Sequence, residues 1–305
     1  MKRPYFPLWF VVVLVTAAVA VSTVSTGHTQ QSVARPDGPT DRDKLSPPNK
    51  MGVAMGHLHY RVRDVEANKR FWITLGGTPA RFGPTEVVKF PDVIVFLSQG
   101  DSSGGTEGSV VNHVAFRVQS LDPLEATGMK VQHLKEFPGV ASVYTPEGER
   151  IELFDEQRAT NLGFTIDSGH SDPVADRHNQ RMSVPIAAHH IHLYVPEASV
   201  LEAKAWYVKM FGGIPGKRWR YEATDLPGIN FNFSASQRPT VPTKGRMLDH
   251  IGFEVENLEA FCQRLAANGV KFDVPYAKSP TGFATALLTD PWGTSIELTE
   301  GLRGM

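Results

Sequence analysis

Two short stretches, MLDHIGFEVE at residues 247–256 and SIELTE at residues 295–300, decide the fold of this chain. The first has the apolar pattern of a β-strand and carries His250 near its start. The second has the length of a strand and places Glu297 between apolar residues. Imidazole and carboxylate groups are common metal ligands in proteins, so the pair indicates a metal site.

The same two kinds of strand recur earlier in the chain. The histidine strand and the glutamate strand reappear as NHVAFRV at residues 112–118 and RIELF at residues 150–154. Two more strands carry histidine without the glutamate, GHLHYRVRD at residues 56–64 and HHIHLYV at residues 189–195. This repetition in two halves of the chain predicts two copies of one metal-binding cup.

A strand–helix–strands unit is built around each histidine strand. The predicted helices lie at residues 65–75, 121–127, 199–211 and 258–268. Two further segments repeat between the halves: FPDVIVFLS at 90–98 with LPGINFNFS at 226–234, and TPEGERIEL at 145–153 with DPWGTSIEL at 290–298. The pattern predicts an α+β fold of four βαβββ modules.

We expect these modules to form two domains, one in each half of the chain; the family resemblance described below implies that each is a half-barrel. The first is predicted at residues 52–156 and the second at residues 186–301. The intervening residues 157–185 are polar and without period, which predicts a linker.

The bulk composition excludes some classes of protein. A chain of 305 residues is long enough for two domains, each with its own core. Its formal net charge of -1 argues against nucleic-acid binding, which usually needs a basic face. Cys262 is the single cysteine, so no intramolecular disulfide can form, and its place in an amphipathic helix predicts a packing role.

The N-terminus has the three parts of a secretory signal peptide at residues 1–20. Residues 1–3 are basic, residues 7–20 are almost wholly apolar, and Ala18-Val19-Ala20 offers a cleavage site. Residues 21–51 are polar without period, which predicts a flexible tether. We expect a secreted or periplasmic protein; an uncleaved segment would instead anchor extracytoplasmic domains to a membrane.

Three repeated features resemble the vicinal oxygen chelate superfamily, which includes glyoxalases, extradiol dioxygenases and bleomycin-resistance proteins. They are a histidine five residues before a valine in each opening strand, double glycines after the first helix of each half, and Pro-x-Gly turns before Ile-Glu-Leu. The resemblance covers residues 52–300. It implies that paired βαβββ modules form half-open barrels around a metal or a small ligand.

The resemblance also implies the metal ligands, because the opening histidines and closing glutamates of such modules converge. The offset to valine selects one histidine from each cluster. The ligands carried over are His57, His113 and Glu152 in the first half, and His190, His250 and Glu297 in the second. Two imidazoles and one carboxylate leave coordination positions open, which favours Fe(II), with Mn, Zn and Ni as alternatives.

One difference from the glyoxalase pattern narrows the range of reactions that we expect. That pattern has a fourth ligand, a glutamate on the last strand of the first module. The corresponding strands here, VIVFLS and INFNFS, have no carboxylate, and Asn230 or Asn232 would be a weak oxygen donor. This favours a three-ligand, extradiol-dioxygenase-like centre. Both halves keep the full set, and the sequence leaves open whether one or both are occupied.

Side chains two residues beyond a ligand share its face of the strand. His59 and His192 recur at this place, so we expect them to act as acid–base groups or to hydrogen-bond in the barrel wall. Tyr144 and Tyr221 are weaker candidates for orienting a substrate oxygen.

These features predict a divalent-metal-dependent enzyme for a small substrate that chelates metal through two neighbouring oxygens. Extradiol-like ring cleavage is the sharpest form of this prediction, and lyase or isomerase chemistry is the alternative within enzymes. The rivals are a metal-free small-molecule-binding protein, like those of bleomycin resistance, and a metal-bound module without activity. The substrate and the oligomeric state stay open.

Overall fold

Four strand–helix–strands modules follow one another in the computed structural model, which describes residues 43–172 and 175–305. The predicted signal peptide and the predicted tether up to residue 42 lie outside the described residues.

Each module begins with a histidine strand and continues with one helix and three more strands. The first comprises β1 (Val53–Val62), α1 (Val65–Thr74), β2 (Thr78–Phe82), β3 (Thr85–Phe90) and β4 (Val93–Gln99). The second comprises β5 (Val111–Val118), α2 (Asp122–Ala126), β6 (Gln132–His133), β7 (Val140–Tyr144) and β8 (Arg150–Asp155).

The second half of the chain repeats the order after one extra strand, β9 (Phe164–Ile166). The third module comprises β10 (Ile186–Val195), α3 (Val200–Phe211), β11 (Ile214–Arg218), β12 (Tyr221–Leu226) and β13 (Ile229–Ala235). The fourth comprises β14 (Leu248–Val255), α4 (Leu258–Ala267), β15 (Phe272–Lys278), β16 (Ala284–Thr289) and β17 (Ser295–Glu300).

The modules form two mixed sheets, which confirms the predicted α+β class. The first sheet has eight strands in the order β15-β16-β17-β14-β1-β4-β3-β2. The second has nine strands in the order β6-β7-β8-β5-β10-β13-β12-β11-β9. The first and fourth modules therefore share one sheet, and the second and third share the other. The prediction that residues 52–156 and 186–301 each form their own half-barrel is wrong.

Two connections lie where the modules exchange: one joins the first module to the second, and the other joins the third to the fourth. Both cross from one sheet to the other, and they run side by side with backbone hydrogen bonds between them. Val110 N donates to Val241 O at 3.0 Å, and Met247 N donates to Gly104 O at 2.9 Å. The Arg246 guanidinium also donates to Gly105 O at 2.8 Å. Once the crossovers pair, β1 meets β14 and β5 meets β10, both antiparallel.

Strand alternation separates the core from the cups. In β1, Leu58 and Tyr60 are buried in a core shared by both sheets and the helices. His57 and His59 point to the opposite, concave face of the sheet. The cores of the two sheets meet in aromatic contacts, such as Phe211 with Phe253, whose ring centroids lie 4.6 Å apart.

The helices lie against this shared core. Cys262 in α4 is buried there, and burial raises its thiol pKa to about 11, as a packing role requires. Among residues 43–172 and 175–305, no helix is long and apolar enough to cross a membrane.

The last part of the predicted tether is ordered, so that prediction is wrong for residues 43–51. Leu45 is buried. The side-chain amide of Asn49 donates to Phe211 O at 2.8 Å, and its oxygen accepts from Met51 N at 2.9 Å. A polar composition concealed this anchor, because the backbone oxygen of Phe211 is distant in sequence from Asn49.

The predicted linker at residues 157–185 is also structured, in the parts that are described. β9 extends the edge of the nine-stranded sheet by pairing with β11, and a 3₁₀ helix follows at Ala175–Asn179. Arg117, buried on the concave face, donates to the backbone oxygens of His178 and Gln180 at 3.3 and 2.7 Å. The segment therefore closes part of one cup.

The C-terminal residues close part of the other cup in the same way. Glu254, at the position in β14 that Arg117 holds in β5, is buried. Its Oε1 accepts from the backbone N–H groups of Gly301, Leu302 and Arg303 at 2.9, 3.0 and 3.3 Å. Leu302 is thereby buried against Ile94 and Phe96.

We predict that Glu254→Gln loosens this C-terminal anchor. The free energy of unfolding should fall by about 1–3 kcal/mol, because a buried charged acceptor for several N–H groups is lost. Amide exchange at residues 301–303 should quicken more than in the core. Glu256→Gln is the control, since Glu256 is exposed and its ion pair with Arg303 is worth at most about 1 kcal/mol. Equal effects of the two changes would contradict the anchor.

Candidate metal centre

Four ligand-type side chains come together on the concave face of the eight-stranded sheet. His57 and His59 lie on β1, His250 on β14 and Glu297 on β17, and one ligand atom from each lies within 4.8 Å of the others. We call this group the His57 cup. β14 lies between β1 and β17, so one strand pairing brings the two histidine strands and the glutamate strand together.

Glu297 joins the two imidazoles at the centre of the His57 cup. Its Oε2 lies 3.0 Å from His57 Nε2 and 3.2 Å from His250 Nε2. Behind His250, Asp249 Oδ1 lies 2.7 Å from its Nδ1. An imidazole that donates Nδ1–H to a carboxylate keeps a lone pair on Nε2 for a metal. Sequence reasoning missed Asp249, although an acidic residue directly before a strand histidine was a visible signal.

A glycine makes room for His57. The β1–β14 register places Gly252 opposite His57. A Cβ at this glycine would lie 2.0 Å from His57 Cε1 and 2.1 Å from Nδ1, much closer than real contacts allow. The imidazole therefore occupies the space of the missing side chain, which buries His57 to 2% exposure.

The electrostatics of the group favour an ionised carboxylate among imidazoles. Burial raises the pKa of Glu297, but hydrogen bonds with His250 and His57 outweigh it and hold the pKa well below the usual range. Burial lowers the pKa of His57. For His250, burial lowers the pKa, yet the bonds to Asp249 and Glu297 reverse the balance and raise it.

His59 completes the His57 cup from the side. Its Nε2 lies 2.6 Å from Ser98 Oγ on β4, and its ring centroid is 4.5 Å from that of His250. Burial, followed by the nearby His250 and His57, lowers its pKa to about 3. The structure thus places His59 where the sequence predicted it, beside the proposed ligands. Its ring nitrogen also lies close enough to be counted with the four ligand-type side chains.

A second group lies on the concave face of the nine-stranded sheet. Its members are His113 on β5, His190 and His192 on β10, and Glu152 on β8, and we call it the His113 cup. Glu152 Oε2 lies 3.2 Å from His113 Nε2 and 3.7 Å from His190 Nε2. The two Nε2 atoms are 3.3 Å apart.

The predicted division of the ligands between the halves of the chain is therefore wrong. Each group combines residues from both halves, because the histidine strands pair across the halves. His57 belongs with His250 and Glu297, whereas His113 and Glu152 belong with His190.

Cationic side chains replace the anionic support in the His113 cup. At the position that Asp249 holds in the other cup is Asn112, whose Oδ1 lies 2.8 Å from His113 Nδ1. Arg150 lies 2.7 Å from the same nitrogen. On the other side, His190 Nδ1 contacts His189 Nδ1 at 2.9 Å, and His189 Nε2 contacts Arg218 at 2.8 Å. The arginines gave no signal in the sequence because both lie outside the repeated histidine motifs.

The His113 cup opens into a cavity of about 210 Å³. Phe137, Trp219 and Tyr221 form an aromatic wall, with Phe137–Trp219 and Trp219–Tyr221 centroid distances of 5.5 and 5.6 Å. His192 and Asn232 line the polar floor. Tyr221 is a candidate that the sequence already offered, whereas Phe137 and Trp219 come from loops that sequence reasoning did not connect with the histidines.

The other two predicted catalytic residues have different outcomes. His192 lines the cavity, its Nε2 lies 2.8 Å from Ser234 Oγ, and burial lowers its pKa well below the usual value. Its contact with Ser234 repeats that of His59 with Ser98. Tyr144 is 41% exposed at the end of β7 and does not line this cavity, so the structure does not bring it into the site.

Comparison with solved structures shows the fold. Glyoxalase I from Zea mays aligns with a TM-score of 0.57 and 15% identity, covering 83% of this chain and 94% of that chain. A putative dioxygenase from Bacillus subtilis aligns with a TM-score of 0.55 and 14% identity, covering 84% and 86%. At these identities, the likeness establishes a shared architecture only.

Sequence comparison gives the family for part of the chain. No curated protein matches the sequence significantly. A family model, however, matches residues 186–298, which contain the third and fourth modules. With the fold of the described residues, this match confirms the resemblance: residues 186–298 match the Glyoxalase/Bleomycin resistance protein/Dioxygenase superfamily, and the chain has the fold seen in glyoxalase I and the putative dioxygenase.

Proposed function

We propose that the chain is a divalent-metal-dependent enzyme whose centre is the His57 cup. One observation carries this proposal: the carboxylate of Glu297 lies within 3.2 Å of two imidazole nitrogens, and Asp249 accepts from the far side of one ring. Without a cation, a cluster of buried polar groups of this kind is costly. With a cation bound, the lone pairs of the carboxylate oxygen and of the two imidazole nitrogens would have a partner.

The donor set fits a divalent cation. His57, His250 and Glu297 would hold it through Nε2, Nε2 and a carboxylate oxygen. Two imidazoles and a carboxylate with open positions favour Fe(II), and Mn, Zn and Ni suit the same donors. When bound, such a cation supplies a Lewis acid for substrate oxygens and, as Fe(II), redox chemistry with dioxygen.

The substrate we propose is a small molecule with two neighbouring oxygens, and an extradiol-type ring cleavage is the sharpest form of the reaction. Glu297 keeps 26% of its side chain exposed, so the cup is open to a small molecule at this side. His59 would hydrogen-bond to a substrate hydroxyl and orient it, because it lies on the same face as the ligands and Ser98 fixes its ring. Phe96, whose ring is 5.1 Å from that of His57, would shield the centre from water.

A second candidate is lyase or isomerase chemistry of the glyoxalase kind. His59 favours it, because its ligand atom lies within 4.8 Å of the other three and would supply a fourth protein ligand. Four protein ligands leave fewer open positions, which suits a Lewis acid better than an oxygen-dependent centre.

We also propose that the protein acts outside the cytoplasm. The support is the signal-peptide pattern of residues 1–20. Cleavage would give a secreted or periplasmic protein, and an uncleaved segment would tether it to a membrane. No nucleic-acid partner is proposed, since the net charge is -1.

The metal content of matched histidine variants tests the centre. His250→Ala should reduce bound metal from about one ion per chain to below a tenth of that, because a ligand is lost. His113→Ala, the same change in the other cup, should leave metal content unaltered. Elemental analysis after purification without added metal measures both. Equal metal content in wild type and His250→Ala would refute the proposed centre.

The Asp249 carboxylate should tune the metal affinity. We expect Asp249→Asn to weaken binding about 10–100-fold, because the Nδ1–H acceptor of His250 loses its charge. Competition with a fluorescent chelator measures the affinity. The control is Asp101→Asn, which removes the same charge from an exposed loop. If Asp249→Asn bound metal as well as this control, Asp249 would have no supporting role.

The reaction class is tested by oxygen uptake with a panel of catechols. Protein loaded anaerobically with Fe(II) should consume oxygen with at least one member, and His250→Ala should lose about a hundredfold or more of this rate. A metal-bound protein inert toward every catechol would instead favour the lyase or isomerase candidate. That candidate would then be tested by conversion of α-hydroxycarbonyl compounds with Zn or Ni bound.

A further inference from the structure

A buried chain of hydrogen bonds ends at His190 in the His113 cup. It begins at Asp225, whose Oδ1 lies 2.6 Å from His178 Nε2. Arg218 then contacts His178 Nδ1 at 3.1 Å and His189 Nε2 at 2.8 Å. His189 Nδ1 lies 2.9 Å from His190 Nδ1. All five side chains are at least nine-tenths buried.

The direction of this chain follows from Arg218. A guanidinium group only donates hydrogen bonds, so His189 must accept at Nε2 and carry its proton on Nδ1. His189 then donates to His190 Nδ1, and the proton of His190 must lie on Nε2. Arg218 also donates to His178 Nδ1, so His178 carries its proton on Nε2 and donates it to Asp225. Each hydrogen bond that runs from Arg218 therefore has one donor and one acceptor.

A cationic donor also lies beside His113. The Arg150 guanidinium is 2.7 Å from His113 Nδ1, which also has Asn112 Oδ1, an acceptor, at 2.8 Å. With its proton on Nε2, His190 faces Glu152 Oε2 at 3.7 Å and His113 Nε2 at 3.3 Å. A protonated imidazole nitrogen has no lone pair for a metal. Two guanidinium charges near the group also oppose a divalent cation.

The cavity beside these imidazoles has room for a single aromatic ring. A cavity of about 150 Å³ can hold benzene, and this one measures about 210 Å³. Phe137, Trp219 and Tyr221 offer ring faces and edges to such a ligand.

Asn232 indicates a polar group on the ligand. It is 1% exposed, lines the cavity, and its Oδ1 has no hydrogen-bond partner among the described residues. A buried unpaired amide oxygen costs free energy that a donor would recover. The equivalent position in the other cup is Phe96, beside His59 as Asn232 is beside His192, so this polarity is particular to the His113 cup.

We infer that the His113 cup is a metal-free binding site for a small aromatic molecule that carries a hydroxyl group. The ring would lie against the aromatic wall, and the hydroxyl would bond to the Asn232 amide. The inference concerns the other cup and does not rest on the proposed function.

The tautomers are tested directly by nitrogen NMR of the histidine rings in the metal-free protein. His189 should show the proton on Nδ1, and His190 should show it on Nε2. A proton on Nδ1 of His190 would overturn the inferred wiring.

Metal exclusion is tested by copying the other cup. Asn112→Asp with Arg150→Ser and His189→Gly introduces the residues found at the equivalent positions 249, 295 and 56. Metal content should rise by about one ion per chain over the wild type, whether or not the His57 cup is occupied, because His190 Nδ1 no longer accepts from His189. A wild-type His113 cup that already binds metal, seen as metal lost in His113→Ala, would overturn the inference. So would a folded triple variant with no added ion.

Ligand binding is tested with phenol and benzene as probes, by calorimetry on His250→Ala protein in the presence of chelator. Phenol should bind at least tenfold more tightly than benzene. Asn232→Leu should weaken phenol binding about tenfold and leave benzene binding unchanged, because the side chain keeps its size. Trp219→Ala should weaken both. The site would be refuted if phenol did not bind, or if protein with Asn232 unaltered bound phenol and benzene equally tightly.

Discussion

The antiparallel pairing of histidine strands across the two halves of the chain is the interaction on which both sites depend. It sets His57 opposite Gly252 and places β17 beside β14, so that Glu297 reaches both imidazoles. The same pairing in the other sheet joins His190 to His113. Neither half of the chain carries a complete ligand group by itself, and the register of one strand pair decides which side chains meet.

Two groups built on one plan have taken opposite electrostatic characters. In the His57 cup, Asp249 supports an imidazole and the surroundings are anionic. In the His113 cup, Arg150 and Arg218 lie behind the rings and bring positive charge instead. The same types of ligand therefore stand in front of groups of opposite charge. The difference in metal binding that we infer follows from these groups and not from the ligands themselves.

The sequence predicted the local structure well, and it predicted which histidines and glutamates share the concave faces, because both follow from short-range periodicity. The five-residue offset to Val195 selected His190 rather than His189. In the structure, His190 is the one that points toward Glu152. The exchange of modules could not be predicted, since four similar opening strands present equivalent edges. Nor could the roles of Arg218 and His178, which reach the site through contacts distant in sequence.

Pairing between β1 and β14 also orders events in folding. β1 and β14 lie in opposite halves of the chain and must meet before the eight-stranded sheet has its central pair, and such distant contacts form slowly. The N-terminal half would therefore wait with two open strand edges until the C-terminal half arrives. If the two halves were produced as separate chains, the same open edges would let them pair with each other. The fold therefore corresponds to a dimer of two similar halves that are joined into one chain.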